Sequence, residues 1–211
     1  MSTRALLTCG AIAPVLFVVT FLIDGATRPG YEPWRNFVSQ LGTGERGWVQ
    51  ITNFVLCGVL LLVGTGGLLR IRASRTVTLL IGVVALGLIA AGVFVTDPGF
   101  GYPPGERTPS QATFHDTVHG LVSFIVFFTL SLVAIVVALQ AWSSRLWAWY
   151  SLVSGVAVFA FITAAALVAA QQERIASPDA PMGVLQRISI VAGFAWLAAL
   201  FERHLRLNTA N

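Results

Sequence analysis

The segment HDTVHG at residues 115–120 holds the side chains of this chain that are best suited to chemistry. His115 and His119 lie four residues apart with Asp116 between them, and a long apolar run follows at once. Because this spacing places both rings on one face of a helix, they could bind one metal ion. The string also resembles the zinc-protease pattern H-E-x-x-H with Asp in place of Glu, which makes Asp116 a candidate catalytic residue. The alternative is a polar helix end that only faces water.

An acid stands at the end of the preceding apolar run. Asp97 is followed by Pro98, which resists further helix. An acid at the C-terminal end of a helix faces the unfavourable pole of the helix dipole, so it is either fully solvated or paired with a cation. We therefore expect Asp97 to approach His115 or His119, where it could be the third ligand of a zinc ion.

The last apolar run contains a charge. Arg187 lies about one turn inside it, beside Gln186. An unpaired charge at that depth costs several kcal/mol unless it reaches the interface. We expect Arg187 to contact Asp97, Asp116 or a lipid phosphate. Arg187, Gln186 and Arg35 are accordingly candidate ligands for an anionic lipid, because a guanidinium binds phosphate or carboxylate through two hydrogen bonds.

The connection after the first apolar run reads RPGYEPWRNFVSQLGTGERGWVQITNF. Within it, EPWRNFVSQLG is typical of a short amphipathic helix at the membrane interface. Ser39 is a candidate catalytic or substrate-contacting hydroxyl, although such a serine also commonly caps a helix. Trp48 is placed as an aromatic anchor at headgroup depth, and Asn53 lies in the next apolar run. Both are candidate lipid-binding residues.

The composition requires lipid as the solvent for much of the chain. Of the residues, 56% are hydrophobic and 10% charged, whereas a soluble domain has about 25% charged residues. The mean hydropathy is +0.79. All 13 basic residues are arginines, which lie at segment ends without forming a basic stripe, so nucleic acid is not an expected partner. Cys9 and Cys57 fall in apolar runs and indicate small buried residues rather than a disulfide.

Six apolar runs are long enough to cross a bilayer as helices. They cover approximately residues 6–23, 49–69, 77–96, 118–139, 146–170 and 184–201. The first run is longer than the apolar core of a signal peptide, and we expect it to be a retained helix. The predicted fold is all-α: a polytopic membrane protein with one six-helix transmembrane domain, residues 1–211, and long outer loops.

The distribution of arginine predicts the orientation. One side of the membrane would carry seven arginines on short segments with a single acid, and the other would carry six arginines on three long loops with eight acids. Basic residues near helix ends concentrate on the cytoplasmic side. We expect both termini in the cytoplasm and the long loops, with the histidine pair, outside. Arginine in place of lysine favours a bacterial cytoplasmic membrane.

The first-connection string, together with TDPG, a downstream histidine, GVLQRI and a late Trp196, resembles a bacterial and archaeal membrane family called domain of unknown function 998. The resemblance covers nearly the whole chain and implies a multi-helix membrane protein without an assigned reaction. A looser similarity joins Ser39, Asp97, His115 and His119 to the zinc-dependent seven-helix hydrolases that include alkaline ceramidases and adiponectin receptors. This chain departs from them in having six spans and a third histidine, His204, on the cytoplasmic side.

These observations leave several functions open. The favoured one is a membrane protein that binds a lipid or a partner through a polar site on its outer face, without catalysis. One alternative is a zinc-dependent hydrolase acting on a lipid amide or ester, and another is a small-solute or proton-coupled transporter. Membrane lipids are the expected partners, zinc is the one cofactor considered, and a homo-oligomer is compatible with the sequence.

Overall fold

The computed structural model describes residues 1–175 and 180–209. Within them the chain forms six α-helices and one short 3₁₀-helix, Val38–Gly42, and contains no strand. The helices are α1 Thr3–Ala26, α2 Gly47–Arg70, α3 Arg75–Val93, α4 Phe114–Gln140, α5 Arg145–Ile175 and α6 Met182–Thr209. All six are long and apolar enough to cross a membrane. The all-α, six-span prediction is therefore confirmed.

Several helix ends differ from the sequence prediction, and two of the differences, at the end of α3 and the start of α4, bear on the HDTVHG segment. Helix α3 ends at Val93 rather than near residue 96, because Phe94 already has an extended backbone with ψ 92°. Helix α4 begins at Phe114, four residues earlier than expected, because Thr113 caps it by accepting a hydrogen bond from the Asp116 amide at 3.2 Å. The HDTVHG segment thus lies in the first turns of a helix.

The helices form a closed ring in chain order. Each helix packs against the next, and α6 returns to pack against α1. Small residues allow close approach, as expected in lipid. A Cβ added to Gly58 would lie 2.6 Å from the carbonyl oxygen of Ala85, and one added to Gly10 would overlap the ring of Phe201. Buried aromatic side chains, such as that of Trp196, fill the ring.

The long connections at one end of the ring fold together into a structure that we name the loop cap, residues 27–46 and 94–113. Asn36 donates to the carbonyl oxygen of Phe100 at 3.2 Å, and Gln40 donates to that of Gly99. The rings of Tyr31 and Tyr102 meet edge to face at 5.2 Å. These contacts give the two connections a defined position relative to each other at the end of the ring.

The segment EPWRNFVSQLG contributes the cap's 3₁₀-helix, Val38–Gly42, rather than a longer interfacial helix. Val38 and Leu41 are buried, while Trp34 is 55% exposed. The segment therefore has an apolar side, formed by Val38 and Leu41, that packs into the protein.

Candidate functional site

A lateral cleft separates α4 and α5 in the half of the molecule nearest the loop cap. Deeper in the ring the two helices touch, since Ser131 donates to the carbonyl oxygen of Gly155 at 2.8 Å. Towards the cap they diverge around a cavity of about 580 Å³. That volume lies within the range of roughly 300–1,000 Å³ that is usual for small-molecule sites.

The wall of the cleft that faces the membrane is apolar and aromatic. Phe124, Phe128 and Phe159 line it and are 64%, 47% and 49% exposed. Rings exposed to this extent lie at the surface of the helix bundle, and α4 and α5 are apolar enough to span a membrane. The cleft therefore opens sideways towards the bilayer.

The end of the cleft beneath the loop cap is polar. The polar side chains that line the cleft as a whole come from the cap, α4, α5 and α6: Ser39, Thr96, Asp116, His119, Ser123, Thr163 and Gln186. Four of the candidates that the sequence offered meet here, namely Ser39, Asp116, His119 and Gln186. Thr96 and Ser123 carried no distinguishing signal in the sequence, because isolated hydroxyl residues in or beside apolar runs are common.

His119 is held in one orientation by the end of α3. Its Nδ1 lies 2.7 Å from the carbonyl oxygen of Phe94 and 3.2 Å from that of Ala91. Both partners accept hydrogen bonds, so Nδ1 carries the proton, and in the neutral ring Nε2 is an acceptor. His119 is 6% exposed and lines the cleft. The arrangement resembles an oriented general base whose partners are carbonyl groups instead of a carboxylate.

One carboxylate oxygen of Asp116 binds the segment that follows α3. Its Oδ1 accepts from the Thr96 hydroxyl at 2.6 Å and from the Asp97 amide at 3.0 Å. Its Oδ2 has no hydrogen-bond partner among the described residues, and no described basic side chain forms an ion pair with it. The first turn of α4 is a favourable place for this negative charge because of the helix dipole.

Asp97 joins α3 to α4 through Thr113 rather than through a histidine. Its two oxygens accept from the Thr113 amide at 2.8 Å and the Thr113 hydroxyl at 2.7 Å. His115 is exposed, and its ring lies 5.5 Å from that of Phe94. Among residues 1–175 and 180–209, no three His, Cys, Asp or Glu side chains are grouped so as to hold a metal ion. The zinc site drawn from Asp97, His115 and His119 therefore stays a prediction.

A second, smaller space of about 30 Å³ lies inside the ring. The side chains that line both it and the cleft are Ser39, His119, Ser123, Phe127 and Gln186. The smaller space is large enough for a water molecule, since that requires about 10–15 Å³ measured in the same way. The polar end of the cleft is therefore next to a place where water fits.

The expected ion pair of Arg187 with Asp97 or Asp116 is wrong. Arg187 instead donates to the carbonyl oxygens of Pro33 at 2.6 Å and Asn36 at 2.9 Å, and to the hydroxyl of Tyr31. Carbonyl oxygens can accept the hydrogen bonds of a guanidinium, and the loop cap brings them within reach of Arg187.

Gln186 has a related role beside Arg187. Its Oε1 accepts from the Val38 amide at 2.7 Å, which fixes the loop cap on the start of α6. Since that oxygen is committed, the amide nitrogen is the part of Gln186 that remains to face the cleft. The side chain can therefore still donate to a ligand.

The remaining candidates lie outside the cleft. Asn53 is buried and donates to the carbonyl oxygen of Phe17 at 3.1 Å, joining α2 to α1. Trp48 is 65% exposed in the first turn of α2, where an interfacial anchor belongs. Arg35 lies in the cap, and its Nη2 is 3.2 Å from the position that a Cβ on Gly101 would occupy. Its Nε is buried and has no hydrogen-bond partner among the described residues.

The sequence analysis missed the most heavily bonded charged group, which involves Asp24, Arg28 and Arg46. Asp24 accepts from Arg28 at 2.8 Å and from Arg46 at 2.7 Å. Burial acts to lower the pKa of Arg28, but hydrogen bonds to Asp24 and Tyr102 outweigh it and raise that pKa. The spacing of four between Asp24 and Arg28 was the available signal, because it places opposite charges on one helix face.

The six spans define a multi-pass helical membrane protein. The chain belongs to a family described as "Protein of unknown function (DUF998)", whose model matches residues 11–202. This confirms the resemblance carried by the first connection. No curated protein and no solved structure matches the chain.

Proposed function

We propose that the protein binds a membrane lipid in the cleft between α4 and α5. The observation that carries this proposal is the division of one cavity into a polar end under the loop cap and an aromatic end open to the bilayer. A lipid has the same division between head and chain. Its chain would lie along Phe124, Phe128 and Phe159, and its head would meet Asp116 and His119.

A blocked cleft tests the proposal. Gly120 lines the cleft, and a Cβ added there meets no other atom within 4 Å, so Gly120→Trp should fill the cavity without disturbing the helix contacts. Gly82 on α3 is also without atoms within 4 Å but does not line the cleft, which makes Gly82→Trp a matched control.

The measurement is the yield of covalent labelling by a phospholipid that carries a photoreactive group on its acyl chain, with purified protein in nanodiscs. We expect Gly120→Trp to lose most of the labelling of α4 and α5, and Gly82→Trp to keep it. Equal labelling of both variants and of the original protein would contradict binding in the cleft.

Lipid hydrolysis is the second candidate function, and it is favoured by the hydroxyls of Ser39 and Ser123 in the same cavity as His119. In such a reaction a serine oxygen would attack the acyl carbonyl while its proton passes to Nε2 of His119. The leaving alcohol or amine would take that proton, and water would then release the acyl group. Asp116 would contact the head group of the substrate.

A zinc ion held by His115, His119 and Asp97, with water as the nucleophile, is the variant of this chemistry that the sequence suggested. Elemental analysis of untagged protein, compared with the His115→Ala, His119→Ala double variant, tests it. Stoichiometric zinc that the double variant loses would support the metal site. Protein without zinc after purification in zinc-supplemented buffer would reject it.

We also propose that the loop cap faces the outside of a bacterial cytoplasmic membrane, with both termini in the cytoplasm. The arginines support this orientation, since seven of them lie on the short segments at the other end. A lipid would then enter the cleft from the outer leaflet.

A further inference from the structure

We propose that the polar end of the cleft selects a lipid whose head carries a primary ammonium group. This inference rests on the proposed function, because it assigns the head group of the lipid bound in the same cleft. It replaces the expectation, drawn from the arginines, that the site takes an anionic head.

The two acceptors in the first turns of α4, on Asp116 and His119, call for a donor on the head, while the Gln186 amide nitrogen remains to donate to an oxygen atom of the same head. Asp116 offers Oδ2, which has no hydrogen-bond partner among the described residues, and a carboxylate oxygen only accepts. His119 offers Nε2, which is an acceptor in the neutral ring because Nδ1 is committed to the carbonyl oxygens of Phe94 and Ala91. Asp116 and His119 lie three residues apart on α4 and are neighbours on its surface, so an ammonium group, with three N–H donors, has the capacity to serve both.

The charge of the cleft points the same way. Asp116 is the one fully charged side chain among the described residues that line the cavity, and no arginine is among them. Arg187, a candidate for anion binding, is committed to the Pro33 and Asn36 carbonyl oxygens and to Tyr31. A phosphate or carboxylate head would thus meet the Asp116 carboxylate, which has no cationic partner among the described residues, in a partly apolar space where repulsion is stronger than in water.

The hydroxyl groups do not oppose this choice. Ser39, Thr96 and Ser123 can each donate or accept, so they fit an ammonium head and the oxygen atoms beside it. The Thr96 hydroxyl already donates to Asp116 Oδ1, which leaves its lone pairs free to accept.

Three single-chain probes with the same alkyl tail separate head from chain: dodecylammonium, dodecanol and dodecanoate. Each is titrated at neutral pH against the photoreactive phospholipid in nanodiscs, and its displacement of the label is measured. We expect dodecylammonium to compete roughly 10-fold or more better than dodecanol, since a hydrogen bond to a charged group contributes about 1.5–3 kcal/mol. Dodecanoate should compete least.

Asp116→Asn isolates the charge. The Asn Oδ1 can still accept from Thr96 and the Asp97 amide, so the start of α4 keeps both hydrogen bonds, while the free Oδ2 becomes an amide nitrogen. We expect dodecylammonium to fall to the level of dodecanol, which should itself change little. Glu106→Gln is the matched control, because Glu106 is an exposed acid of the loop cap that does not line the cleft. It should keep the preference for the amine.

The outcomes distinguish this inference from the proposed function. In one outcome the three probes compete in the original protein and not in Gly120→Trp, but the amine competes no better than the others. That outcome would overturn the proposed ammonium head group and leave lipid binding in the cleft standing. The ammonium head is also overturned if Asp116→Asn keeps the preference or Glu106→Gln loses it. If no probe competes and the phospholipid labels Gly120→Trp as strongly as the original protein, lipid binding in the cleft itself is wrong.

Discussion

Arg28 donates to both carboxylate oxygens of Asp24, from Nε to Oδ1 at 3.1 Å and from Nη2 to Oδ2 at 2.8 Å. The side chains of Arg28 and Asp24 are 3% and 2% exposed. Arg28 also donates to the Leu41 carbonyl oxygen at 2.8 Å and to the Tyr102 hydroxyl at 2.9 Å. One guanidinium therefore connects the end of α1 to both connections of the loop cap.

This pair should be important for stability. Arg28→Met leaves Asp24 buried with only Arg46, and removing one partner of a buried pair costs roughly 3–5 kcal/mol. We expect a clear fall in the thermal unfolding temperature in detergent. Glu202→Gln is the control, since Glu202 and Arg206 also form an i, i+4 pair but are 49% and 78% exposed. Exposed pairs contribute only about 0–1 kcal/mol. Equal effects of the two substitutions would contradict a structural role for Arg28.

Arg187 should act as an attachment point for the loop cap. Arg187→Met removes its hydrogen bonds to the carbonyl oxygens of Pro33 and Asn36, and a typical intramolecular hydrogen bond contributes about 0.5–1.5 kcal/mol. We expect a lower unfolding temperature that added lipid does not restore, together with faster proteolysis of the cap. Arg107→Met, at an exposed cap position, should change neither. Unchanged stability with loss of lipid binding would instead make Arg187 a ligand-binding residue.

The loop cap should loosen in strongly alkaline solution. Burial raises the pKa of Tyr31 from its ordinary value of 10.0 to about 12, against the opposing effect of Arg187. Because the folded pKa is the higher one, the contribution of Tyr31 to stability is complete below pH 10.0 and is lost as pH rises towards about 12. Phenolate absorbance and thermal unfolding measured across this range should change together. Tyr31→Phe should lessen the alkaline loss of stability; an identical loss in that variant would assign the effect to other groups.

Hydrolysis by a serine should be visible as covalent labelling. A long-chain fluorophosphonate should react with Ser39 or Ser123 if His119 removes the serine proton. We expect His119→Gln to reduce labelling by about 100-fold or more, in keeping with the usual contribution of a general base. Ser39→Ala and Ser123→Ala, measured separately by mass spectrometry, identify the reacting oxygen. If the probe labels neither serine, the serine mechanism of hydrolysis is rejected and lipid binding remains.

The orientation of the chain can be tested by cysteine labelling in intact cells. In a background with Cys9 and Cys57 replaced by alanine, Glu45→Cys and Arg107→Cys place a thiol at exposed positions of the loop cap. Ser143→Cys places one at the opposite end of the ring. A membrane-impermeant maleimide added outside should label the first two and miss the third. The reverse pattern would place both termini outside.

The sequence alone was sufficient for the six helices and for the presence of polar groups near their ends. Backbone groups in lipid must bond within their own segment, so length and apolar composition determine each span locally. The spacing of His115 and His119 likewise placed both beside the end of α3, where His115 contacts the ring of Phe94 and His119 its carbonyl oxygen. The family resemblance was also confirmed, over residues 11–202. It depended only on short motifs and their order along the chain, which the sequence contains.

Tertiary structure alone decided which groups bind each other. The sequence predicted that Arg187 needs a hydrogen-bonding partner. The acceptors that it contacts are carbonyl oxygens of the folded loop cap rather than Asp97 or Asp116. The cleft depends on how far α4 and α5 diverge above the contact of Ser131 with Gly155, and no local pattern encodes that distance. Helix formation uses neighbours within one turn, whereas pairing of polar groups depends on contacts between segments far apart in the chain, such as Val38 with Gln186.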